Sequence, residues 1–355
     1  GVTGDSSPAD RLEDVSPTGF ADGNALYPKF PDRTDCAGSA CTLLEERTNF
    51  DLYYAWARTR GHVTKAAIGQ AIFSANEQLR VGFGESNGNS NNEPIQALSV
   101  TGHRATLLSQ LYTSTYQGNS QLHSGLAGAG KYLECTSGGG SLFTGSPVCP
   151  VRADDQGSCQ QNYVLIVTDA NFEGEGSNLG NLDPGNADGD ESSVFDGAVF
   201  AEGAPSGWSS TLADIAMHYY ERDLFTSIDN DVVPLTRDID LAPAGTFSSG
   251  SMHQHVKTYA VAFGLSSGLV DPPTAYSADA YDWGSSDAVG TPEEKASFRA
   301  KDLYHATING RGRYFDAQSP QALSSELTAA FDEFSTGIGS GSAVSFNSQE
   351  LSSGG

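Results

Sequence analysis

The stretch QNYVLIVTDA, residues 161–170, decides how the rest of the chain is read. Its run of Val164, Leu165, Ile166 and Val167 is apolar and mostly β-branched, and it closes on a polar Thr168-Asp169 pair. A continuous apolar run of this length is the pattern of a strand buried on both faces, as in a parallel sheet. Working outward, HVKTYAVAFGL (255–265) reads as a second buried strand and RYFDA (313–317) as a shorter one. LRVGFGES (79–86) reads as a further buried strand, and IQALSV (95–100) as a shorter candidate.

Helical patterns fall between these strands. GHRATLLSQLYTSTY is one. QLHSGLAGAGKYL places Leu122, Leu126, Ala129 and Leu133 at helical spacing. STLADIAMHYYERDL turns Leu212, Ile215, Ala216 and Tyr219 inward, with a cap expected at Ser209 or Ser210. Helices are also expected over 293–309 and 320–334, the latter with Leu323, Leu327, Ala330, Phe331 and Phe334 on one face. From Leu43 onward NFDLYYAWARTR and HVTKAAIGQAIF are helical, with a junction near Gly61. Alternating strands and helices with apolar strands predict an α/β fold, a Rossmann-like sheet covered on both faces. Ligands of such sheets sit outside the carboxyl ends of the strands, which is where Asp169 falls.

The organisation expected is a loop-rich insertion over 1–42, a domain over 43–335 with long loop insertions, and a linker over 336–355 with one short strand in AVSF. The chain has 44 acidic and 19 basic residues, a net charge of −25. Nucleic-acid binding, which needs a basic footprint, is disfavoured. No apolar run approaches the length of a membrane span. Five cysteines stand at 36, 41, 135, 149 and 159. Cys36 and Cys41, in DCAGSAC, predict a small disulfide loop, and Cys149 with Cys159 a second bridge. Cys135 is left to compete for either partner or to pair outside the chain. Disulfides imply an oxidising compartment.

Several segments, in order, resemble one family: RTDCAGSACTLLEERTNFDLYYAWARTR, LRVGFG, QNYVLIVTDA, GNADG, STLADIAMHYYERDL, HQHVKTYAVAFG and LYHATINGRGRYFDAQSPQAL. Together, over about residues 33–335, they resemble the von Willebrand factor A-like domain of PilC/PilY type IV pilus-tip proteins. The resemblance implies a non-enzymatic, exported protein at the pilus tip and cell surface. It implies contact with minor pilins, a role in pilus assembly and adhesion to a host or surface ligand, and a β-propeller following the A-like domain.

The resemblance also implies a metal-ion-dependent adhesion site for Mg²⁺ or Ca²⁺. Hard cations take hydroxyl and carboxylate oxygens and leave a position for an acidic group on the ligand. Asp169 matches its strand-end acid and Ser120, in GNSQL, its hydroxyl, though Ser120 also suits a plain helix cap. The third part, D-x-S-x-S after a first strand, is missing. Asp5, Ser6 and Ser7 imitate it poorly, since residue 9 is Ala and no strand precedes them. The resemblance therefore predicts that the given sequence starts within an insertion downstream of that strand. The absent strand would lie centrally, between LRVGFG and VLIVTDA, and another polypeptide segment is expected to fill the gap.

Other candidates are weaker. Asn186, Asp188 and Asp190 in NADGDE resemble part of a calcium loop, but the spaced bidentate Glu is absent. His253 and His255 point to one side without an evident third ligand. His123 and His305 read as structural. No G-x-S-x-G elbow follows a strand and no phosphate loop is present, which argues against a hydrolase or nucleotide enzyme. Two alternatives to adhesion remain: a structural cap on minor pilins with a vestigial metal site, and a generic secreted A-like domain without a pilus.

Overall fold

The structure is a computed structural model. It describes residues 26–350, apart from 30, 32, 57, 87–91, 115–120, 136–148, 153–156, 170–171, 173–178, 181, 183–209, 241–249, 264–268 and 270–291. The chain divides into two units, Gly1–Ala66 and Ala67–Gly355.

In the first unit a two-stranded antiparallel ribbon, β1 (Leu26–Pro28) and β2 (Ala40–Thr42), leads directly into helix α1 (Leu43–Trp56). Cys36 and Cys41 form the expected disulfide, with Cα atoms 5.2 Å apart. Glu45 accepts hydrogen bonds from the backbone N–H groups of Ala37 and Thr42, which fixes the loop against the start of α1. These bonds hold the Glu45 carboxyl below its ordinary range. Helix α1 thus groups with the region before it, whereas the sequence reading joined it to the domain that follows. Helix α2 (Arg60–Ser74) spans the boundary between the units, with Gly61 inside its first turn.

The second unit is built on a parallel sheet of β5 (Asn162–Thr168), β6 (Val256–Phe263) and β7 (Arg311–Ala317), in that order. All three strands were expected, β5 and β6 from their apolar runs and β7 as the short strand RYFDA. β5 and β6 pair in continuous register from Asn162↔Val256 to Thr168↔Ala262. Between β6 and β7 the register shifts after Thr258, where Gly312 runs so close that an added Cβ would lie 2.0 Å from the Thr258 carbonyl oxygen. Only glycine fits there.

One face of the sheet is covered by α4 (Leu122–Leu133), α5 (Leu212–Glu221) and α7 (Pro292–Asn309). Leu126, Ile215, Leu303 and Ile308 meet Ile166, Val256, Ala260 and Ala262 in one continuous core. Each fully buried aliphatic side chain contributes roughly 1.5–3 kcal/mol. The four inward positions expected on α5 are all buried, and so are Met217 and Tyr220, because neighbours enclose this helix on several sides. Gly130 of α4 lets it approach closely: a Cβ there would meet the Tyr219 ring at 2.4 Å. The opposite face carries α8 (Pro320–Glu350), whose Phe334 stacks on Tyr163 at 4.4 Å and meets Tyr259 edge-on at 4.9 Å. The helix was expected to end near 334 and AVSF to be a strand; instead the helical run continues to Glu350. The result is a mixed α/β unit with a parallel sheet between helices, compatible with a Rossmann-like layer.

Two expectations about the sheet change. β3 (Arg80–Phe83) and β4 (Glu93–Ala97) do not join it but form a separate antiparallel pair, half-buried rather than buried. Helix α3 (His103–Thr113) lies against this pair, and the buried His103 bonds Glu93 and the Val81 carbonyl. The expected cap of α5 also moves by one residue. Thr211 is the cap, forming a reciprocal box with Asp214, because Ser210 sits at φ 63° and instead receives the Gly180 N–H.

Candidate functional site

The carboxyl end of β5 is the place the fold reserves for a ligand. β5 ends at Thr168, and Asp169 follows, exposed. Phe172, three residues on, is buried, and its ring meets the His123 ring edge-on at 5.5 Å. His123 lies in the first turn of α4. The segment after β5 and the N-terminal end of α4 are therefore neighbours. Ser120 lies outside the described residues, as does the NADGDE segment with Asn186, Asp188 and Asp190.

The N-terminal end of α5 belongs to the same neighbourhood. His123 Nε2 is 3.6 Å from the Asp302 carboxylate on α7. Asp302 in turn accepts the Leu212 and Ala213 N–H groups at 3.2 Å each. Two of the N–H groups that a helix start leaves without internal partners are thereby satisfied by one side chain from another helix. Asp214 accepts from Thr211 and from the Leu182 N–H at 2.6 Å. Burial pushes the Asp214 carboxyl up against the pull of these hydrogen bonds, and Asp302 pushes the same way. The Arg299 guanidinium lies over the Phe172 ring at 5.9 Å. Sequence reading missed Asp302 and Asp214. Asp214 was detectable, as the acid three residues after Thr211. Asp302 was not, since its partners are about 90 residues away.

Hard divalent cations take about six to eight oxygen ligands in the calcium case and about six for magnesium. The strand end supplies one exposed carboxylate, Asp169, among the described residues. The only His, Cys, Asp and Glu group of metal-binding size among them is Cys36, Cys41 and Glu46, and its two cysteines are bonded to each other. The described donors alone do not make a cation site.

At the other end of the strands lies a buried ionic network that sequence reading also missed. Lys257 of β6 is ion-paired with Asp238 of the short helix α6 (Thr236–Asp240), both side chains being at most 1 % exposed. Tyr220 and the Leu235 N–H donate to the same carboxylate at 3.0 and 2.7 Å. Fully buried Arg311 lies over the Tyr220 ring at 4.8 Å and donates to the carbonyls of Ile308 and Asn309. Burial pulls the Lys257 and Arg311 cations down, with Asp238 opposing. His253 and His255, with rings 5.6 Å apart, do lie together as expected. Their nitrogens face carbonyls: His253 Nε2 that of Tyr220 at 3.0 Å, and His255 Nδ1 that of His253 at 2.8 Å. Burial lowers the His255 pKa to about 3, so the ring is neutral. The network ties α5, α6, β6 and β7 together. His305 is fully buried on α7, in keeping with a structural role.

The expected Cys149–Cys159 bridge is corrected. Cys149 bonds Cys135, with Cα atoms 5.1 Å apart, and Cys159 is exposed and keeps its thiol. The reason is tertiary. Cys135 comes directly off the C-terminal end of α4 at φ 58°, and packing of α4 on the sheet carries it to the segment that precedes β5. Spacing along the chain made Cys159 the nearer partner, but packing decides which sulfurs meet.

The fold is a layered α/β protein with a parallel sheet, and no helix among the described residues is long and apolar enough to cross a membrane. The chain is similar in sequence to three proteins described as type IV pilus biogenesis factor PilY1, from Pseudomonas aeruginosa strains PAO1, PAK and UCBPP-PA14. Each is 28 % identical, over 345, 324 and 298 residues, covering 87, 85 and 78 % of this chain. The chain spans about a quarter of the length of these relatives (28, 26 and 24 %). No family model and no solved structure matches it.

Proposed function

We propose that this chain is the von Willebrand A-like portion of a type IV pilus biogenesis factor, a non-enzymatic binding and assembly module that is exported to the pilus tip. Its partners are minor pilins and, through a bound Mg²⁺ or Ca²⁺, a host or surface ligand. The observation that carries the reading is the PilY1 similarity over most of the chain. The disulfides suit an oxidising compartment.

The cation is held by Asp169, Ser120 and a D-x-S-x-S segment on a strand supplied by another stretch of polypeptide. That strand lies along the open edge of β5. Two features support this. β5 is hydrogen-bonded to β6 on one side and to no other strand among the described residues. It is only half-buried, whereas every residue of β6 is buried. Backbone groups buried without partners cost roughly 1–3 kcal/mol each, so a covering strand is favoured.

The test replaces Asp169 by Ala in the full-length protein inside piliated cells, with pili and surface attachment counted separately. Attachment lost in the variant and lost in chelator, at unchanged pilus number, is the expected result. Pili lost with attachment per pilus unchanged would leave the second reading, a structural cap with a vestigial metal site. That the similar proteins are pilus biogenesis factors favours that reading next. Failure to co-purify with minor pilins would leave a secreted A-like domain without a pilus.

A further inference from the structure

Three cysteines of the second unit, Cys135, Cys149 and Cys159, lie on two neighbouring chain segments, and only two of them can be bonded at once. The clamp that brings the segments together is the Gln160 side chain. Its amide donates to the Pro150 carbonyl at 3.3 Å, and its oxygen accepts the Arg152 N–H at 3.2 Å. Arg80 of β3 closes the clamp, donating to the Pro150 carbonyl at 2.6 Å and to Gln160 at 3.3 Å. Pro150 is next to Cys149 and Gln160 is next to Cys159, so the clamp holds the residues adjoining both sulfurs. Cys159 is exposed, and the far end of the Cys135–Cys149 disulfide lies just past the last turn of α4.

We propose that Cys159 is a resolving thiol for the Cys135–Cys149 disulfide, making this corner of the domain a thiol–disulfide switch. The Cys159 thiolate attacks Cys149 Sγ. The Cys149–Cys159 bond forms as the Cys135–Cys149 bond breaks, and the electron pair leaves on Cys135. Cys135 takes up the proton that Cys159 gave up. The exchange is an isomerisation: one thiol and one disulfide stand on each side, and no outside oxidant or reductant enters. Attack needs the thiolate, so the rate rises with pH. In one isomer the C-terminal end of α4 is tethered to the segment before β5. In the other the tether is gone and Cys135 presents a thiol there. The switch stands on the clamp that holds the residues beside Cys149 and Cys159, and does not depend on a cation at Asp169.

The experiment uses the whole folded chain, incubated at about pH 8.5, quenched at intervals with N-ethylmaleimide and mapped as unreduced peptides by mass spectrometry. Both isomers are expected, the Cys149–Cys159 peptide always accompanied by alkylated Cys135. Finding Cys135–Cys149 alone with Cys159 alkylated at every time overturns the proposal. In a Cys135→Ser variant the expected result is a Cys149–Cys159 bond, with loss of maleimide labelling at both. If that variant keeps native circular dichroism and both cysteines remain alkylatable after oxidation, the proposal is likewise overturned. If it loses its fold, the time course on the unaltered chain decides alone.

Discussion

Lys257 and Asp238 carry opposite charges where neither side chain reaches solvent. A buried ion pair adds little over an apolar pair, but removing one member leaves the other charged and uncompensated. Lys257→Met is therefore expected to cost about 3–5 kcal/mol in urea unfolding, and the Lys257→Met, Asp238→Leu double variant to recover part of it. Beside this pair His255 faces Tyr220, His253, Lys257 and Asp238, and burial holds its pKa at about 3. In the unfolded chain it titrates near 6.5. Between those values the unfolded state binds the extra proton. The contribution is complete above about pH 6.5 and is lost as pH falls toward 3, by up to about 1.4 kcal/mol per unit. Thermal melting should fall between about pH 7 and about pH 5, and His255→Asn should flatten that slope. None of this was legible in MHQHVKTY: the sequence showed a strand entry, and only folding surrounds it with Tyr220 and α6.

Elements were legible to different degrees, for identifiable reasons. β5 and β6 were found because their apolar runs suit buried strands, which is a local property, and β7 as a short strand at RYFDA. LRVGFG carries the same local pattern but pairs with β4 outside the parallel sheet, since an apolar run does not say which strand will pair with it. The cap of α5 was misplaced by one residue because Ser209, Ser210 and Thr211 all suit the role locally, and the turn at Ser210 chooses among them. Asp302 shows the same dependence between helices. Asp302→Ala strips the acceptor from two buried N–H groups of α5, at roughly 1–3 kcal/mol for each left without a partner. Equilibrium unfolding should show that loss, and Asp302→Asn, which keeps one acceptor oxygen, should lose less. An unchanged midpoint in Asp302→Ala would mean that water satisfies the α5 start.

At the scale of the whole molecule, β6 is enclosed between β5 and β7, and among the described residues β5 pairs with a strand on one side only. Amides of β6 should exchange hydrogen only on global unfolding, and β5 amides that point to the open edge much faster. Uniform slow exchange along β5 would show the edge already covered. A strand pairing along that edge should slow those same amides. The sequence by itself determined the α/β class, the three parallel strands, the inward face of α5, the Cys36–Cys41 loop and the position of Asp169 at a strand end. Each of these follows from the order of residue types within a few turns or a single strand. The tertiary structure alone decided that β3 stands apart from the sheet, that Cys149 chooses Cys135 over Cys159, that Asp302 caps a helix about 90 residues away, and that Lys257 meets Asp238 out of water. These depend on which distant segments packing brings together, and residue order along a short stretch carries no record of that.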